Sequence, residues 1–229
     1  MANRKRRQSM VEVLDKATVR GTGEGKPLGK MRRPIVTRKQ MVQLLEWDRH
    51  KLFENLLESF GIDTDREGLK DTPKRWVKAM QFLTSGYKQN PYDVVKSFED
   101  GANGYNEMVL QRDIPLWSLC EHHVLPFFGV AHIAYIPDRR IVGLSKLSRV
   151  VDVFARRLQV QERLTVEVAD FLSDALHPLG VGVVLECRHT CMECRGVQKA
   201  NTVTQTSALR GALLEGRARA EFLTLLRSK

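Results

Sequence analysis

Between Phe128 and Thr206 the hydrophobic pattern changes its period twice, and that change limits the chain to few architectures. Phe128, Val130, His132, Ala134 and Ile136 alternate with Gly129, Ala131, Ile133 and Tyr135, the two-residue period of a strand. Pro137-Asp138 supplies a turn. Leu147, Val150, Val151, Phe154 and Leu158 then recur at helical spacing, and Leu164, Val168, Phe171, Leu172 and Ala175 do so again before His177-Pro178 and Gly180. Residues 181–185 open a second strand that runs toward Cys191, and residues 202–206 give another. Residues 108–117 read as extended, and 218–226 as a last helix. Strand, two helices and strands again predict an α+β domain, with helices on one face of a largely antiparallel sheet.

The chain ahead of this domain is different. Leu52, Phe53, Leu56, Leu57 and Phe60 predict a helix that Gly61 ends. Thr72-Pro73 predicts an N-cap and first helical residue for a second helix carrying Arg75, Trp76, Met80 and Leu83. Three regions follow: a basic flexible tail over 1–40, a helical region over 41–105 and the α+β domain over 106–229. Of the 37 Lys/Arg and 27 Asp/Glu, residues 1–40 hold 12 and 3, which leaves 25 and 24 for the rest. The net charge of +10 is therefore a property of the tail. A protein that binds nucleic acid through its folded surface is basic there, and this body is not. The tail has no aromatic residue before Trp47 and cannot bury enough apolar surface to offset ordering entropy. A solvated arm, a polyanion contact and a targeting peptide all fit it; Glu12, Asp15 and Glu24 count against the last. No apolar run approaches the about 18 residues of a membrane span, and no apolar stretch follows the basic start. The expected compartment is the cytoplasm, with reduced thiols available for metal or chemistry.

The densest chemical signal is Cys120-Glu121-His122-His123 together with His189-Thr190-Cys191. Zinc takes thiolate and imidazole ligands from separate segments. Cys120 and His123, three apart, can meet on one side of a turn. His189, Cys191, Glu193 and Arg195 share a parity, so a continuing strand would put them on one face. Three protein ligands, Cys120, His123 and Cys191, leave a fourth position for water, the pattern of a catalytic zinc site. The alternatives are a closed structural site that also uses Cys194, or no metal. Parity counts against Cys194, and the adjacent histidines are superfluous in a closed site. A zinc base deaminase fits less well, because its His-x-Glu and Pro-Cys-x-x-Cys are absent.

Two further segments carry charge at helix starts. Lys146 and Arg149 lie one turn apart near the N-terminal end of the first long helix, where the dipole opposes cations unless a polyphosphate is bound. The alternative is a solvated face. Gln161-Glu162-Arg163 opens the next helix. Its glutamate either complements the dipole or accepts two N–H donors from a guanine edge. His132, alone in a strand pattern, reads as structural.

These blocks together resemble GTP cyclohydrolase I. Cys120-Glu121-His122-His123, Gly143-Leu144-Ser145-Lys146, Val160-Gln161-Glu162-Arg163-Leu164, His189-Thr190-Cys191, Arg195-Gly196-Val197 and Glu221-Phe222-Leu223 carry the likeness, with Asp71-Thr72-Pro73-Lys74-Arg75 upstream. It extends over residues 40–229 and stops at the tail. The resemblance implies a T-fold (tunnelling fold) subunit in a ring-shaped homodecamer with shared sites. It implies zinc on Cys120, His123 and Cys191, and His122 and His189 as proton-transfer groups with Ser145 near the ribose. It implies guanine held by Glu162 and Gln161, and triphosphate by Lys146, Arg149, Arg195 and Arg75. The implied reaction converts GTP to 7,8-dihydroneopterin triphosphate and formate, the first step toward folate, pterins or 7-deazaguanines. Two other classes compete: a zinc-stabilised nucleic-acid binder that uses the tail, and a catalytically silent T-fold protein, against which the intact Cys and His residues count.

Overall fold

The computed structural model describes residues 48–99 and 104–228. The chain divides into two units, Met1–Asp48 and Arg49–Lys229, and every element below belongs to the second. The basic tail expected over 1–40 lies outside the described residues.

Four strands make the antiparallel body of the sheet: β2 (Val109–Cys120), β3 (Pro126–Ile136), β6 (Gly180–His189) and β7 (Val203–Gly211). A two-residue strand, β5 (Leu158–Gln159), pairs in parallel with Leu119 and Cys120, giving the order β5-β2-β3-β6-β7. A separate pair joins β1 (Ser97–Phe98) to β4 (Ile141–Val142). β3 and β6 pair without interruption from Phe127↔His189 to Ile136↔Gly180. The two backbones come so close that a Cβ on Gly129 would lie 1.9 Å from the Glu186 carbonyl oxygen, so only glycine fits. The β2–β3 register shifts between Gln111 and Ile114, where Asp113 takes φ 57°. There the Asp113 N–H donates to His132 Nδ1 at 3.2 Å, and His132 is 5% exposed. Its role is the structural one expected: it satisfies the bulge.

Alternation along the strands builds two cores. Ile133, Val183 and Leu185 face α3 (Leu144–Ala155) and α4 (Gln161–Leu176), which contribute Leu147, Val150, Leu164, Val168 and Leu172. Ala134 and Val184 face the other way and pack with Met108, Leu213 and Phe222, the last from α6 (Gly216–Arg227). The two long helices thus share one face, and the C-terminal helix covers part of the other. Leu158 departs from expectation. α3 ends at Ala155, and Leu158 sits in β5 instead of on the helix. Pairing with Leu119 captures it, and the buried Gln159 amide donates back to the Phe154 carbonyl at 3.1 Å.

Ahead of the sheet lie α1 (Arg49–Ser59) and α2 (Thr72–Leu83). Thr72 is the first helical residue of α2 and Pro73 the second, so the cap is Asp71, one residue earlier than expected. Phe53 stacks on Trp76 with ring centroids 4.1 Å apart. Leu52, Leu56, Trp76 and Met80 line a groove of about 580 Å³ between the two helices.

Candidate metal centre and active site

Strand pairing brings the two cysteine segments together. Leu119 pairs with Pro126 and His189 with Phe127, so β2 and β6 both reach the same end of β3. After Cys120 the chain turns: the Cys120 N–H donates to Leu125 O and the Val124 N–H to Cys120 O, both at 2.8 Å. Val124 holds φ 55°, a costly conformation for a β-branched residue and one found where a site dictates the backbone. β6 does not continue to Arg195. It stops at His189, and Thr190–Glu193 forms one helical turn, α5. The strand-parity argument for Cys191 therefore fails as geometry. What moves Cys191 toward Cys120 is this turn, whose first hydroxyl, on Thr190, donates to Pro126 O at 2.6 Å.

The outcome for the three expected ligands is convergence. One ligand atom each from Cys120, His123 and Cys191 lies within 4.8 Å of the others. His123 Nδ1 is 3.7 Å from Cys120 Sγ. Cys194, exposed at the end of α5, stays outside this group, and Cys187 is buried in the core beside α4. Two thiols and an imidazole suit zinc better than the oxygen-seeking Mg²⁺ or Ca²⁺. Burial, with the Cys120 thiol next to it, raises the Cys191 pKa above its ordinary value. A divalent cation reverses that preference by binding the thiolates. Burial pushes the Cys187 thiol up to about 12, which suits an inert core residue.

His189 is oriented with unusual definiteness. Its ring stacks on Phe127 at 4.7 Å, and its Nε2 is 2.8 Å from Gln161 Oε1. The Gln161 amide nitrogen donates to Leu185 O (3.1 Å), Thr204 O (2.9 Å) and Thr206 Oγ1 (3.1 Å). Two of these are carbonyls and only accept, so the amide oxygen must face His189. His189 Nε2 therefore carries a hydrogen, which leaves Nδ1 as the nitrogen that can gain or lose a proton. Burial lowers the His189 pKa, while Glu162 and Glu193 pull it the other way. Gln161 is 2% exposed, and its side-chain amide is taken up by His189 and the strands. Its backbone N–H, at the first position of α4, is what the helix leaves unpaired.

The remaining candidates are open to solvent. Glu162 is exposed on the first turn of α4, and Ser145 and Arg149 on the first turns of α3, with Lys146 half-buried between them. His122 is exposed; its Nδ1 lies 3.8 Å from Cys120 Sγ and its Nε2 3.9 Å from Glu121 Oε1. Arg195 is exposed and donates to His123 Nε2 at 2.7 Å. Arg75 is not brought to the cluster by any hydrogen bond or ion pair among the described residues; its partner is Asp71, on its own helix. Sequence reasoning missed a network under the metal turn. Arg163 donates to the Glu121 carboxylate, and that contact holds the Glu121 pKa below its ordinary value. The signal in the sequence was slight, only the one-turn spacing of Gln159 and Arg163.

Such an arrangement offers a Lewis-acid position, an oriented imidazole and a second histidine, a carboxylate on a helix start, and several cations for an anionic group. The GTP cyclohydrolase I family model matches residues 49–227 of the chain. The chain is similar to GTP cyclohydrolase 1 of Chlorobium phaeovibrioides, 57% identical over 173 residues that span 75% of this chain and 77% of that one. It is also similar to GTP cyclohydrolase 1 of Campylobacter lari, 56% identical over 76% of this chain and 92% of that one. The protein of that name from a Janthinobacterium is 53% identical over 77% and 90%.

Proposed function

The chain belongs to the GTP cyclohydrolase I family, and from that premise we propose that it converts GTP to 7,8-dihydroneopterin triphosphate with release of formate. It is an enzyme of the T-fold class, and its product opens the route to folate and pterins. The observation that carries the reading is the convergence of Cys120, His123 and Cys191 two residues from an oriented His189.

Cys120, His123 and Cys191 would hold zinc. Bound there, the ion supplies Lewis acidity and an activated water for opening the imidazole ring of guanine and for the second hydrolysis that frees formate. The protein's own groups do the rest. Glu162 accepts the N–H donors of the guanine edge, with the Gln161 backbone N–H beside it. His189 protonates N7, which makes C8 electrophilic; with Nε2–H held by Gln161, proton traffic falls to Nδ1. Its lowered pKa makes any proton it does carry easier to give up. His122 and Ser145 move protons while the ribose opens to a ketone that closes on the freed amine. Lys146, Arg149, Arg195 and Arg75 hold the triphosphate, whose binding energy orients C8.

We also propose that the active form is a homodecamer with shared sites, working in the cytoplasm. Arg75 bonds within its own helix and lies on an element apart from the cluster, as expected of a group serving a neighbouring copy. β7 presents a nine-residue edge strand, which a ring of sheets would cover. No described helix is long and apolar enough to cross a membrane. The test is incubation of the purified, zinc-loaded protein with GTP, with formate and pterin fluorescence as readouts. Zinc-dependent formation of both is expected. Binding of GTP without either product would sink the reading and favour a silent T-fold protein.

A further inference from the structure

The first turn of α4 sends three consecutive side chains in three directions. Gln161 goes to His189, Glu162 to solvent, and Arg163 back to the turn after β2. The Arg163 guanidinium has three acceptors: Gln159 Oε1 at 2.9 Å, Leu158 O at 3.2 Å and the Glu121 carboxylate. Gln159 is 1% exposed, and its amide also donates to Glu167 Oε2 at 2.8 Å. The Gln159 carbonyl in turn accepts the Glu121 N–H at 3.0 Å. Glu121 is thus gripped at both ends, backbone by β5 and carboxylate by Arg163. It is the residue between Cys120 and the two histidines, and its other oxygen faces His122.

We infer that Arg163 is a positioning residue: acting through Glu121, it locks the turn that carries Cys120, His122 and His123 to the helix start that carries Gln161 and Glu162. The inference rests on the metal-site reading given above. The two side chains are 42% and 34% exposed, so as a bare ion pair this contact would contribute little. Its value is geometric. β5 is only two residues long, yet it is bonded on one side to the β2 strand that ends in Cys120 and on the other to Arg163. Tyr87 backs it from outside, accepting the Leu158 N–H at 3.1 Å. A 380 Å³ cleft lined by Tyr87, Glu121, Arg157, Arg163 and Glu167 lies beside the strut, so water competes for the pair and only the fork of a guanidinium holds several acceptors at once.

The test uses cobalt in place of zinc, because its visible spectrum reads coordination geometry. Apo protein is titrated with Co²⁺ for wild type, Arg163→Ala, Arg163→Lys, Glu121→Gln and the Glu121→Gln/Arg163→Ala double variant, and GTP kinetics are taken on the same preparations. Arg163→Ala and Glu121→Gln should each weaken Co²⁺ binding by about 10- to 100-fold, the range for outer partners of metal ligands, with an altered spectrum. The kcat should fall more than KM rises, since Glu162 stays on a helix anchored by its core. The double variant should be no worse than the poorer single one, because both cut one link. Lysine should recover only part. Folded variants that bind Co²⁺ within twofold of wild type overturn the inference, as do losses that multiply in the double variant or full recovery by lysine. Glu121→Gln, at an exposed position, decides the matter if Arg163→Ala does not fold. A wild type that binds no Co²⁺ defeats the metal reading and the strut together, whereas tight wild-type binding with unaffected variants defeats the strut alone.

Discussion

The two helices ahead of the sheet and the two behind it read alike in sequence but are built differently. α4 buries eight of its residues, among them Leu164, Val168, Leu172 and Leu176, against β6 and β7. α1 buries none, and α2 only Pro73 and Val77. Both regions show apolar residues at helical spacing, so amphipathicity alone does not say whether the chain itself supplies the surface to be covered. The sheet region also holds every expected metal and proton-transfer residue, while the helical region offers only a phosphate contact, Arg75. The difference separates a body that covers its own sheet from a pair of helices that leave Leu52, Leu56 and Trp76 largely exposed.

The comparison breaks first at the metal. Cys191→Ser should lose bound zinc and all measurable turnover, while Cys194→Ser, three residues on but outside the cluster, should keep both. Equal loss of zinc in the two variants, measured by metal analysis, would mean a closed four-ligand site. Next come the histidines. His189→Ala and His122→Ala should retain zinc and lose about 10²–10⁴ in rate, the worth of general acid–base help. His122→Ala is the variant expected to open the ring and accumulate an intermediate, visible by chromatography of the products. Product formation at near wild-type rate would remove the residue concerned from the mechanism.

Stability separates the two regions more directly. Leu172→Ala, at a fully buried position of α4, should cost about 2–5 kcal/mol in denaturant unfolding. Leu56→Ala on α1, 47% exposed, should cost under about 1 kcal/mol. If the two costs match in the assembled protein and diverge after dilution, the α1–α2 groove is covered by another copy. Mixing inactive Arg75→Ala and Cys191→Ser variants should restore a fraction of the activity; no recovery after verified reassembly would place both residues in one chain's site. The smallest effect belongs to the tail. Deleting residues 2–36 should leave GTP turnover unchanged at moderate salt, and a collapse with zinc retained would bring the tail into the site.

Much of this was legible because it repeats. Nine alternating residues announce β3, and nine of the ten apolar positions at helical spacing fall in α3 and α4. What repetition cannot announce is a partner far along the chain. Leu158 keeps helical spacing with Phe154, yet its fate is decided by Leu119, about forty residues earlier. Cys191 keeps strand parity with His189, but the backbone coils at Thr190, so Cys191 joins the cluster through a local structure that parity did not predict. The Gln161 side chain shows the same limit: nothing local reveals that Leu185, Thr204 and Thr206 would converge on its amide. Glu121 and Arg163 were passed over because a charged residue beside a ligand looks like any solvated charge.

The contact between Arg195 and His123 has a thermodynamic consequence. A guanidinium that donates to Nε2 needs a lone pair there. An ion held through Nδ1, the nitrogen on the Cys120 side, requires Nε2 to carry hydrogen, and the two arrangements exclude each other. Loading an ion through Nδ1 would then exchange one positive group for another at a single imidazole. An anion that draws Arg195 away favours the ion, and by reciprocity the ion favours the anion by the same factor. Occupancy of the metal position and of the phosphate position would be coupled through one ring, with no domain having to move, and a chelation curve taken with polyphosphate present would sit at lower free metal than one taken without it.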